Sequence, residues 1–157
     1  MNKIVLKATH WDGRFFQLCK LIASWSEDQS RKIGSVILGP AHEIRATGYN
    51  GLPRGVSANI FARHDKTDGE KYFWFEHAER NAIYNAARAG TSIEGCVLYS
   101  TLFPCADCAR AIVQSGIKTL NTFASPENDP TYARSFKVAT ELMSEGGVEV
   151  RVFADDI

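Results

Sequence analysis

A chain of 157 residues, 45% hydrophobic and 23% charged, has the make-up of one soluble globular domain with a self-sufficient core. Its 18 basic and 18 acidic residues cancel, which argues against a protein that grips DNA or RNA along its backbone but leaves room for a small anionic substrate. No stretch is long and apolar enough to span a membrane, and Met1 to His10 does not read as a signal peptide, so a cytoplasmic protein is expected.

Phe15, Leu18, Cys19, Ile22 and Trp25 recur at helical spacing and predict an amphipathic helix over roughly residues 12–28. Ile33 to Leu38 and Ile44 to Tyr49 read as two strands joined by a turn at Gly39-Pro40-Ala41-His42. Residues 50–75 form the longest irregular stretch, of the kind that is usually functional in a compact domain. A helix is predicted from His77 to Ala89, stopped by Gly90, then a strand from Cys96 to Thr101. Cys105 to Ser115 gives a further helix ended by Gly116, and Ile117 to Phe123 a strand. Asp129-Pro130 offers a helix start, the helix that follows buries Tyr132, Phe136, Ala139 and Met143, and Val148 to Phe153 supplies a last strand. This order predicts an α/β fold of three layers, α/β/α, around a mixed five-stranded sheet. Its first two strands should be antiparallel and the helix-linked ones largely parallel.

Two short motifs carry the chemistry. His77-Ala78-Glu79 opens one helix, and Pro104-Cys105-Ala106-Asp107-Cys108 opens the next. One imidazole and two thiolates make three protein ligands for zinc and leave the fourth tetrahedral position to water, the ligand count of a catalytic site. The two cysteines are three residues apart and can face one point from a single turn, where the helix N-terminus favours thiolates. Glu79 is not needed as a ligand and is placed to move protons. This pairing of His-x-Glu with Pro-Cys-x-x-Cys is the pattern of the zinc nucleobase deaminases, in which an activated water attacks the amino-bearing ring carbon. Taken singly, Cys105 and Cys108 also suit a structural zinc half-site or a redox pair, and His77 a structural histidine. Cys19 and Cys96 read as small buried hydrophobes, which leaves a closed structural site short of a fourth ligand.

The run His77 to Leu120 (HAERNAIYNAARAGTSIEGCVLYSTLFPCADCARAIVQSGIKTL) closely resembles the deoxycytidylate deaminases of the cytidine deaminase superfamily. The resemblance extends to RKIGSVIL at Arg31 to Leu38 and TGYNGLPRG at Thr47 to Gly55, and Gly48-Tyr49-Asn50-Gly51-x-Pro53-x-Gly55 points to the deoxycytidylate branch. It implies a cytidine deaminase-like fold, a single zinc-dependent deaminase domain over residues 1–157, and hydrolysis of dCMP to dUMP and ammonia. By residue match, His77, Cys105 and Cys108 would hold one zinc ion per chain, with Glu79 as the proton shuttle. Asn50 would recognise the base or sugar, although a plain turn residue is an equal reading of that position. Ala78, inside the motif, is placed beside the substrate. For the phosphate, Arg31, Lys32, Arg54, Arg63, His64 and Lys66 are the candidate cations, Arg54 and Arg63 first because a guanidinium holds a phosphate by two parallel bonds. Family members are commonly hexamers governed by dCTP and dTTP, so a homo-oligomer is expected.

Ser125 to Thr131 has no aromatic ahead of Tyr132, where relatives place a tyrosine near the substrate, so that Asn128 takes its place in the match. The long loop also lacks the extra cysteines and histidines that give some members a second zinc. Tyr72-Phe73-Trp74-Phe75 is expected to serve packing or a subunit contact, with at most one ring near the base, and Arg88 to help at a subunit contact or to sit as a cation near its helix end. Competing readings are a deaminase of modified dCMP, cytidine, guanine or tRNA adenosine, and a non-catalytic zinc-bearing domain; the presence of Glu79 argues against the last.

Overall fold

Alternate residues of the central strands face two separate apolar cores, and this alternation sets the three layers. In the computed structural model, which describes residues 5–126 and 129–155, a strand at Gly34–Leu38 (β2) is buried along its whole length. Its Val36 and Leu38 join Phe15, Phe16, Cys19 and Ile22 of a helix at His10–Ala23 (α1). Ile37 points the other way, to a core built with Ala82 and Ala86, Ala109 and Ile112, and Phe136, Ala139 and Met143. Those residues come from helices at Ala78–Ala89 (α3), Ala106–Gln114 (α4) and Ala133–Glu145 (α5). Between α1 and α3 a single helical turn at Lys71–Trp74 (α2) closes the long connection.

The sheet has six strands, one more than expected, in the order β1-β6-β5-β4-β2-β3. The added strand, Val5–Leu6 (β1), pairs parallel with Glu149–Phe153 (β6). Two residues are too few to show a period in sequence, and their pairing comes from the neighbouring edge alone. The other strands follow the expectation. β2 is antiparallel to Ile44–Tyr49 (β3) and to Val97–Ser100 (β4), while β4, Thr119–Phe123 (β5) and β6 run parallel. The first helix is shifted towards the N-terminus: Thr9 and Asp12 form a reciprocal capping box that starts it at His10, and it ends at Ala23. Trp25 therefore lies outside the helix and is exposed instead of buried.

Topology brings two helix starts to one edge. β3 and β4 are both antiparallel to β2, so they end on the same side of the sheet. At the end of β3, Gly51 and Glu76 exchange backbone hydrogen bonds of 3.0 and 2.8 Å, which sets the start of α3. At the end of β4 the chain turns through Thr101–Pro104 and starts α4 at Cys105. Gly48 permits the close approach: a Cβ there would collide with the backbone N of Ala82 and the carbonyl O of Ala78. Gly48→Ala should therefore destabilise the fold by about 1–3 kcal/mol through overpacking, seen as a lower urea midpoint, and should lower zinc content by shifting α3.

Candidate active site

His77 and Cys105 are the N-cap residues of α3 and α4, both with extended backbone, and neither side chain caps its own helix. The side chains are free to meet between the helices. His77 Nδ1 lies 3.4 Å from Cys105 Sγ and 3.5 Å from Cys108 Sγ. All three donor atoms fall within 4.8 Å of one another, and among the described residues no other such group exists. Bond lengths to zinc of about 2.0–2.3 Å give N···S edges of about 3.6 Å in a tetrahedron, so the spacing and donor set fit that ion and leave a fourth position open.

Glu79 sits one residue inside α3, 4% exposed, with Oε2 3.5 Å from Cys108 Sγ. Burial pushes its carboxyl above the ordinary carboxylate range, against the pull of His77. The hydrogen bond with Cys108, helped by His77, brings the Cys105 thiol down to about 4 despite burial. Cys108 is raised by the same sharing with Cys105 and by its own burial. Burial disfavours charge on His77, but the Cys105 hydrogen bond and the Glu79 charge outweigh it and raise its pKa. Cys105 is thus the readiest of the three to lose its proton, and the thiolate is the form that binds a divalent cation.

His77, Glu79 and Cys105 line a cavity of about 200 Å³ that also reaches Asn50, Ala78, Arg31, Lys66, Lys71, Tyr72, Phe75, Phe103 and Tyr132. The structure does not bring Arg54 or Arg63 to this cavity. The loop after Gly51 carries them outward, where Arg54 Nη2 bonds Asn85 Oδ1 at 2.6 Å. Arg63 donates to Ser57 O at 2.9 Å and stacks 4.2 Å over the Trp74 ring. Of the six candidate cations, Arg31 and Lys66 line the cavity. Asn50 lines it too, but its amide is engaged within the protein: Nδ2 donates to Asp28 Oδ2 and Arg31 O, and Oδ1 accepts from Ile33 N. One lone pair of Oδ1 remains unused.

Two rings of the aromatic run reach the cavity. Tyr72 and Phe75 are three apart around the single turn of α2 and share a face, whereas Phe73 is 83% exposed. Tyr132 stands edge-on to His77 with ring centroids 6.0 Å apart, so a tyrosine does flank the donor cluster. Its helical spacing marks it only as core. Asn128 lies outside the described residues. Sequence reasoning also missed Asp28, which the predicted helix over 12–28 absorbed, and Lys71, for which the irregular stretch gives no signal.

Residues 9–124 match the model of the cytidine and deoxycytidylate deaminase zinc-binding region. A deoxycytidylate deaminase of Enterobacteria phage T4 is 68% identical, with 85% of each chain covered. The chain belongs to the deoxycytidylate deaminase family. The human deoxycytidylate deaminase is 32% identical over 91% of this chain and 79% of its own length. The fold resembles that of dCMP deaminase from cyanophage S-TIM5, solved in complex with dCMP and dUMP, at a TM-score of 0.78 and 26% identity, covering 94% of this chain and all of that one. The enzyme is thus a zinc-dependent deaminase, and no helix among its described residues is long and apolar enough to cross a membrane. Cys105→Ala should lose its zinc, from about one ion per chain to near none by elemental analysis, because two ligands alone do not hold the ion.

Proposed function

We propose that the enzyme hydrolyses dCMP to dUMP and ammonia, using the His77, Cys105 and Cys108 cluster and Glu79. The observation that carries this reading is the burial of Glu79 beside three zinc-type donors, on a cavity that cations also line. Zinc bound there brings the pKa of a coordinated water down towards neutrality, so a nucleophile is available at physiological pH.

Glu79 then does the proton work. Burial raises its pKa above the ordinary carboxylate range, which suits a group that both takes and gives protons. It removes a proton from the attacking water and passes it to ring N3, while the water oxygen bonds to C4. It carries the second proton to the amino group, the C4–N bond breaks, ammonia leaves, and the water oxygen remains as the uracil O4. Tyr72, Phe75 and Tyr132 give apolar walls that exclude bulk water and offer faces to a pyrimidine ring. Arg31 and Lys66 are the cavity's candidates for the phosphate, Arg31 for its guanidinium fork.

The same proposal includes one catalytic domain, a homo-oligomer and a cytoplasmic setting. Exposed Leu21, Trp25 and Tyr49 support a subunit contact, and four free cysteines suit a reducing compartment. Ammonia release from dCMP and deoxycytidine, measured side by side, tests the substrate. Loss of the charge-assisted phosphate bonds should lower kcat/KM for deoxycytidine by about tenfold or more. Glu79→Gln should keep zinc yet lose about 10²–10⁴-fold in kcat. Equal turnover of both substrates would refute the phosphate assignment, and undiminished activity in Glu79→Gln would refute the proton role.

A further inference from the structure

Among the residues that line the cavity is a buried charge pair to which the chemistry above gives no part. Asp28 is 3% exposed, and its two oxygens receive four donors. Oδ1 accepts from the backbone N–H groups of Ser30 and Arg31, at 2.8 and 3.3 Å. Oδ2 accepts from Asn50 Nδ2 at 2.8 Å and from Lys71 Nζ at 2.5 Å. The Lys71 side chain is itself only 8% exposed. Two apolar residues of similar volume would often be as stable as such a pair, so stability alone does not account for it.

What the pair does is join two walls. Lys71 opens α2 and continues the segment that brings Lys66, Tyr72 and Phe75 to the cavity. Asp28 belongs to the connection after α1 that carries Arg31. The Arg31 peptide is held on both sides: its N–H donates to Asp28, and its carbonyl accepts from Asn50 Nδ2 at 2.9 Å. Its guanidinium then meets Asp129 Oδ2 at 3.1 Å across the cavity. We infer that Lys71 is a positioning residue: its bond to Asp28 sets the spacing of the two walls and holds Arg31 where a nucleotide phosphate meets it. This inference rests on the phosphate role proposed above for Arg31.

The test uses the zinc-loaded enzyme with dCMP and deoxycytidine. Lys71→Met should raise KM for dCMP about tenfold, the effect of one misplaced charge-assisted bond. Its kcat should stay within about twofold, because Glu79 and the donor cluster are untouched, and KM for deoxycytidine should rise less than KM for dCMP, because only dCMP loses the phosphate bond as well. Lys71→Arg keeps the cation and should recover most of the affinity. The double variant Asp28→Asn/Lys71→Met removes both buried charges, so its melting temperature and zinc content should stay near those of the parent while KM for dCMP remains raised. A double variant with the parent's KM would show that the pair matters only as balanced charge and would overturn the positioning role. Arg31→Ala separates the two ideas. If it leaves KM for dCMP unchanged, the phosphate reading fails and the inference with it. If it raises KM and adding Lys71→Met raises it again by the same factor, Arg31 holds phosphate without Lys71, and the positioning role alone fails.

Discussion

The contact of α3 with β3 at Gly48 is the constraint on which the site depends. Ala78 O and Ala82 N come so close to Gly48 that no side chain fits between helix and strand. The Gly51–Glu76 exchange fixes the same helix at its start. With α3 held along the strand, His77 has one place to stand, and α4 delivers Cys105 and Cys108 to that place from the end of β4. Catalytic geometry of this kind is sensitive to shifts of about 1 Å, so it is the rigid backbone contact, more than any side-chain bond, that keeps the donors together.

Burial then sets the chemistry of those donors. In open water Glu79 would be an ordinary carboxylate, and the two cysteines ordinary thiols. Packed at the base of the cavity, Glu79 is pushed towards its neutral form and the cysteines share a proton unequally. The cluster is thereby suited to a divalent cation, and the carboxyl is held more readily in its protonated form than an exposed one. The rim follows a different rule. There charge is kept, and kept paired: Lys71 with Asp28, and Arg31 with Asp129.

The difference between floor and rim also explains what could be read from the sequence. His77, Glu79, Cys105 and Cys108 are close in the chain, in two helix-opening motifs, so their convergence needs only helix geometry and strand order to foresee. The strands were visible for a similar reason, since they are short apolar runs and glycines follow the helices between them. The rim is assembled from residues distant in sequence, and no period describes the path of residues 50–75. That is why Arg54 and Arg63 ranked ahead of Arg31 and Lys66, and why Lys71 passed unseen beside an aromatic run. Trp25 misled the helix boundary because its spacing continues the apolar face beyond the point where the helix stops.

The most direct test of the account is a crystal structure of the Glu79→Gln variant with zinc and dCMP, with anomalous scattering recorded at the zinc edge. One zinc peak is expected among His77 Nδ1, Cys105 Sγ and Cys108 Sγ, with cytosine C4 beside it and the phosphate at Arg31 and Lys66. A closed zinc site with a fourth protein ligand, or a phosphate turned towards Arg54 and Arg63, would contradict it.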